Sequence, residues 1–129
     1  MSGILIVDGN PIQRDQLRSI LTNAGYQVLG SARSGTEAVK LLRTIEPSLI
    51  ALDLVMPDMN GLDLLKSIRA AYPSVPVMAC SSFSHEYIAE MAHRSGAFAF
   101  FPKPYPAIRL LQEVERMIGP PSSAVPRSF

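Results

Sequence analysis

The chain has 129 residues, the length of one domain with a single continuous core and short of two. Lys and Arg number 12 against 11 Asp and Glu, a net charge of +1, which excludes the single-sign field that would grip nucleic acid or an anionic membrane. A lone cysteine, Cys80, excludes an internal disulfide, and with no leader pattern and no apolar run near the roughly 18 residues of a spanning helix the expectation is a soluble, cytoplasmic protein.

In chain order, "ILIVD" from residue 4 reads as a first buried strand. A helix follows, with Asn10 as N-cap, Pro11 at the first helical position, Gln13 placed to close a capping box and Gly25 as its stop. "YQVLGSA" from 26 is the second strand; Ser34 and Glu37 box the second helix, and Glu46-Pro47 ends it. "SLIALD" from 48 is the third strand, and Asn60 precedes "GLDLLKSIRAAY", whose leucines and isoleucine recur at helical spacing until Pro73. "VPVMACS" from 75 is the fourth strand, with Cys80 read as a small buried hydrophobe. Ser84 is placed to cap "HEYIAEMAHRS", with Gly96 as its stop. "AFAFF" from 97 is the fifth strand, and Pro106 opens a last helix, "PAIRLLQEVERMI". A domain spanning 1–118 is thereby complete, and "GPPSSAVPRSF" (119–129) reads as a Pro/Ser-rich tail or the start of a linker.

Strands alternating with helices predict an α/β fold with a parallel sheet, in which ligands sit beyond the carboxyl ends of the strands. The residues at those ends are Asp8, Asp53, Ser81 with Ser82, and Lys103. Each alone also suits ordinary work, as a turn former, a cap or a loop residue. Together they converge on one edge, where two unpaired acids repel by roughly 4 kcal/mol at 4 Å under an intermediate dielectric. A lysine or a divalent cation relieves that cost.

The stretches "ILIVDGNPIQR", "LDLVMPDMNGLDLLKSIR", "PVMACSS" and "GAFAFFPKPY", in this order, resemble the receiver domain of two-component response regulators. The resemblance covers nearly all of the chain up to residue 118. It implies a five-stranded parallel, doubly wound sheet of flavodoxin-like type, strand order 2-1-3-4-5, with helices on both faces. It implies that Asp53 is the phosphoacceptor for a sensor histidine kinase or phosphotransfer protein, a carboxylate being a competent nucleophile toward phosphorus. It further implies Mg²⁺ held by Asp8, Asp53 and the backbone carbonyl of Val55, pairing of Lys103 with the phosphoryl oxygens, and a switch made of Ser81 and Phe100. The output partner or output domain is expected on the fourth helix, fifth strand and fifth helix, and a homodimer stays open. Such a domain is a signalling module rather than an enzyme, with at most slow self-dephosphorylation.

The departures from the family are as informative. Its members normally carry two acids in a row after the first strand, and Gly9 stands in the second place. Mg²⁺ is therefore expected to bind weakly before phosphorylation, with Lys103 free to pair with Asp53. Val55 and Phe83 put apolar side chains beside the path of the hydrolytic water. The alternative reading is a pseudo-receiver, a constitutive protein-interaction platform without efficient phosphorylation. Aspartate-nucleophile phosphatases carry a second acid where this chain has Val55, and "DGNPIQR" lacks the hydroxyl- and glycine-rich loop of a flavin site. His85 and His93, eight residues apart on one helix, are expected at the solvated surface rather than as metal ligands.

Overall fold

The computed structural model describes residues 3–83 and 86–121. Among them strands and helices alternate as β1 (Gly3–Val7), α1 (Pro11–Asn23), β2 (Gln27–Ala32), α2 (Gly35–Leu42), β3 (Leu49–Asp53), α3 (Gly61–Ala71), β4 (Val77–Ser81), α4 (Glu86–Arg94), β5 (Ala99–Pro102) and α5 (Ala107–Ile118). The strands pair in parallel in the order β2-β1-β3-β4-β5, the doubly wound, flavodoxin-like arrangement expected.

The central strands β1, β3 and β4 are buried along their whole length, which is why they read as unbroken apolar runs. Alternate side chains point to opposite faces, so each strand feeds two cores. On one face Leu5, Val7, Ile50 and Leu52 meet Leu42 of α2, Leu65 and Ile68 of α3 and Ala92 of α4. On the other, Ile6, Ala51, Met78 and Phe101 meet Leu17 and Leu21 of α1 and Leu110 and Val114 of α5. Each fully buried large aliphatic side chain contributes about 1.5–3 kcal/mol, and the two layers fix the strand ends against each other.

Local signals placed most element ends. Asn10 and Asn60 accept from the first free N–H groups of α1 and α3, and Gly25 and Gly96 turn the chain at positive φ. Several ends differ from expectation: β5 starts at Ala99 rather than Ala97, and Glu37 takes the Arg33 N–H at 2.8 Å rather than closing its box on Ser34. α2 stops at Leu42, well before Glu46-Pro47, because the Arg43, Thr44 and Ile45 N–H groups fold back onto the Lys40 and Leu41 carbonyls and turn Ile45 onto the core. β4 begins at Val77, since Pro76 has no N–H for the ladder. The capping box at Gln13 is half made: Asn10 Oδ1 takes the Gln13 N–H at 3.0 Å, but the Asn10 N–H goes to Asp8 Oδ1 at 2.8 Å, leaving the Gln13 side chain for another task. Ser84, expected as the cap of α4, and His85 lie outside the described residues, as does the expected tail beyond residue 121.

Candidate functional site

Strand register brings the expected residues level. Val7 pairs with Leu52, Asp53 with Cys80 and Ser81 with Pro102, so Asp8 and Lys103, each one residue past its strand, flank Asp53 and Ser81 at the carboxyl edge. The Asp8 N–H donates to Ala32 O and the Lys103 N–H to Ser81 O, both at 2.9 Å, extending the ladders into the site.

The Lys103 side chain is only 3% exposed. Its ammonium donates to Asp8 Oδ2 at 2.7 Å, Gln13 Oε1 at 2.6 Å and Asp53 Oδ2 at 3.0 Å, one acceptor for each of its three protons. Asp8 also accepts from the Tyr105 hydroxyl at 3.2 Å, and its backbone carbonyl from Arg14 at 2.7 Å. Asp53 Oδ1 accepts the Val55 N–H at 3.0 Å. A buried charge is tolerable only when paired and hydrogen-bonded, and the Asp8–Lys103–Asp53 chain meets that condition.

Burial pushes the Asp53 carboxyl above the ordinary aspartate range; the Val55 N–H and the Lys103 ammonium pull it down, and the Asp8 charge adds to the rise. Burial likewise raises the Tyr105 phenol, which stays a neutral donor. It pushes the Cys80 thiol up to about 12, so Cys80 is the inert core residue expected.

The opposite wall is apolar. Ser81 is buried and its Oγ accepts the Phe83 N–H at 3.0 Å. With Leu54, Val55, Met59, Phe83 and Ile88 it lines a cavity of about 320 Å³. Val55 and Phe83 are 45% and 57% exposed and form its rim. The loop carrying Val55 is pinned twice. A side chain at Gly61 would collide with the Leu54 carbonyl, so only glycine lets the loop close there. Asp58 takes the Gly35 N–H, Thr36 N–H and Thr36 hydroxyl at 2.7–3.0 Å, and these bonds hold its carboxyl down at about 2.

The structure thus joins Asp8, Asp53 and Lys103 directly and sets Val55 and Ser81 beside them. Phe100 stands apart, paired with Ala79 and half-buried on the face that α4 closes. His93 is exposed, with Nδ1 at 3.2 Å from Ala97 O. Gln13 and Tyr105 were not expected in the site. The signal available for Gln13 was its place in the first turn of the helix that follows Asp8, on the side of the strand end that carries the site. Gly9 is not at positive φ. A Cβ there would lie 3.2 Å from Pro57 Cδ and 3.5 Å from Arg33 O, so no backbone requirement excludes an aspartate.

Residues 4–115 match the response regulator receiver domain family. This chain belongs to that family. The receiver is 33% identical to the chemotaxis protein CheY of Thermotoga maritima over 114 residues, covering 88% of this chain and 95% of that one. Among solved structures, the response regulator domain of Thermotoga maritima CheB superposes with a TM-score of 0.83 at 30% identity, covering 92% of this chain and 96% of that one. The CheY of a CheX–CheY–BeF3–Mg²⁺ complex from Borrelia burgdorferi superposes at 0.84 with 28% identity, covering 89% and 87%. The chain is a two-component receiver, and no helix among its described residues is long and apolar enough to cross a membrane.

Proposed function

We propose that this receiver takes a phosphoryl group onto Asp53 from the phosphohistidine of a sensor kinase or phosphotransfer protein in the cytoplasm, and so changes the surface offered to an output partner. The observation that carries the reading is the contact of Asp53 Oδ2 with the buried Lys103 ammonium at 3.0 Å. A carboxylate oxygen attacks phosphorus, the phosphorus–nitrogen bond of the donor breaks, and the donor imidazole leaves with a proton from solvent. The product is an aspartyl phosphate bearing about −1.5 to −2 of added charge if it behaves as other phosphorylated side chains do. Lys103 then moves its third hydrogen bond from Asp53 to a phosphoryl oxygen, and Ser81 turns its hydroxyl from the Phe83 N–H toward another. That shift of Ser81 opens room for Phe100, next to the α4, β5 and α5 surface where an output partner or second copy binds.

The donor set suits Mg²⁺, which commonly takes one or two carboxylates with water and phosphate oxygens. Asp8, Asp53 and the Val55 carbonyl would hold it, and when bound it neutralises charge developing on the phosphoryl oxygens. Both Oδ2 atoms lie on Lys103, and the described residues contain no cluster of three His, Cys, Asp or Glu side chains fit for a metal. With that ammonium competing for the same oxygens, weak binding is expected before phosphorylation. The same features favour the second reading, a pseudo-receiver that binds its partner without phosphorylation. The Borrelia burgdorferi CheY held with BeF3 and Mg²⁺ supports the first.

Incubation with acetyl phosphate and Mg²⁺ followed by intact-mass measurement tests the choice. One acid-labile phosphoryl group per chain is expected, lost completely in Asp53→Asn, which keeps the volume and removes the nucleophile. Uptake by the variant refutes Asp53 as acceptor, and no uptake by the native protein leaves the pseudo-receiver.

A further inference from the structure

We infer that Gln13 is a positioning residue for Lys103: its side-chain carbonyl keeps the ammonium anchored to α1 while the contact with Asp53 passes to an incoming phosphoryl oxygen. The inference rests on the reading of Asp53 as phosphoacceptor and adds a residue to that site.

The Gln13 bond is the shortest of the three on the ammonium, at 2.6 Å against 2.7 Å to Asp8 and 3.0 Å to Asp53. The Asp53 contact is the longest, and it lies on the group that is to be modified. When it is exchanged, Asp8 and Gln13 are the acceptors that remain. Gln13 has no competing role at the helix start, because the Asn10 N–H that a capping box would assign to it already donates to Asp8 Oδ1. Its place is also the right one. With Asn10, Ile12, Gln16, Ser82 and Lys103 it lines an open cavity of about 320 Å³, so this side of the ammonium borders solvent.

Charge explains why an amide serves. Asp8 and Asp53 against Lys103 leave the trio at −1 by formal charge, and a third carboxylate on the ammonium would add to the repulsion of an anionic donor. A neutral carbonyl completes the hydrogen-bond shell without that repulsion. In its absence one proton of a buried ammonium lacks a partner, a state the fold avoids by letting the ammonium shift.

Gln13→Leu removes the acceptor at similar volume, and Gln13→Glu restores one. The readouts are the maximal rate of phosphoryl uptake from acetyl phosphate at saturating Mg²⁺, and the NMR signal of the Lys103 ammonium, which is visible only while its protons exchange slowly with water. For Gln13→Leu we expect the rate to fall by about tenfold, the size of one lost hydrogen bond to a charged group, and the ammonium signal to broaden. Gln13→Glu should recover the signal and part of the rate, its added charge opposing the anionic donor, while both variants stay folded. A Gln13→Leu protein with native rate and unchanged signal overturns the inference, as does a Gln13→Glu protein whose ammonium signal stays as broad as that of Gln13→Leu, which would mark a packing role. Failure of the native protein to take up phosphate, with the ammonium signal intact, would instead remove the Asp53 reading and the inference with it.

Discussion

The two walls beside Asp53 differ in kind. On the β1, α1 and β5 side, Gln13, Lys103, Asp8 and Tyr105 form a chain of hydrogen bonds, and no buried side-chain nitrogen or oxygen among the described residues lacks a partner. On the other side Val55, Met59 and Phe83 present apolar surface to solvent, and the polar side chains Ser81 and Asn60 are turned to backbone N–H groups. Charge can be buried only in a closed set of partners, so the first wall holds Asp53 and its cation in place. A wall whose polar side chains are taken up by backbone N–H groups has little with which to orient an attacking water, so under the proposed function the second sets how long a phosphoryl group would stay.

Breaking the first wall has the largest effect on the fold. Lys103→Met leaves Asp8 and Asp53 buried without their cation, which costs about 3 kcal/mol of stability at neutral pH. The Asp53 carboxyl already titrates above its ordinary range, and the substitution lifts it further. A raised carboxyl favours the folded state while protonated and loses that advantage as pH rises through its folded value. The deficit of Lys103→Met should therefore shrink on acidification toward that range and grow above it, in denaturant titrations at several pH values. A deficit independent of pH would mean that lost packing, not unpaired charge, is responsible.

Changing the second wall should leave the fold alone. Phe83 is exposed, and Phe83→Glu places a carboxylate where it can orient water. Loss of phosphate from the labelled protein should speed up by about tenfold, short of the roughly 100-fold minimum of a fully positioned general base. An unchanged decay followed by acid-labile phosphate would show that the apolar rim does not set the lifetime.

The first wall was also the less legible in sequence. Asp8, Asp53, Ser81 and Lys103 stood out because each follows an unbroken apolar run, and the parallel fold forces such positions to one edge. Gln13 and Tyr105 carry no such mark. Gln13 sits where a capping box is expected, and only the capture of the Asn10 N–H by Asp8, a contact set by the turn after β1, frees its side chain. Tyr105 follows Lys103 in a loop whose path depends on packing against α1 and α5 rather than on local pattern. The early stop of α2 has the same origin: Ile45 is drawn onto the core before the Pro47 signal is reached.

The central claim is that a receiver with Gly9 in place of an acid still completes its site once a phosphoryl group arrives, and one titration tests it. Mg²⁺ binding is measured with and without BeF3 in the native protein and in Gly9→Asp, whose new side chain the structure accommodates with a few tenths of an ångström of movement at Pro57. The native protein should bind Mg²⁺ weakly alone and more tightly with BeF3, whose fluorines supply the missing anionic ligand. Gly9→Asp should bind it well without BeF3, at some cost in metal-free stability through added like-charge repulsion. Equal Mg²⁺ affinity in the two proteins without BeF3, or no gain from BeF3 in the native one, would contradict the account.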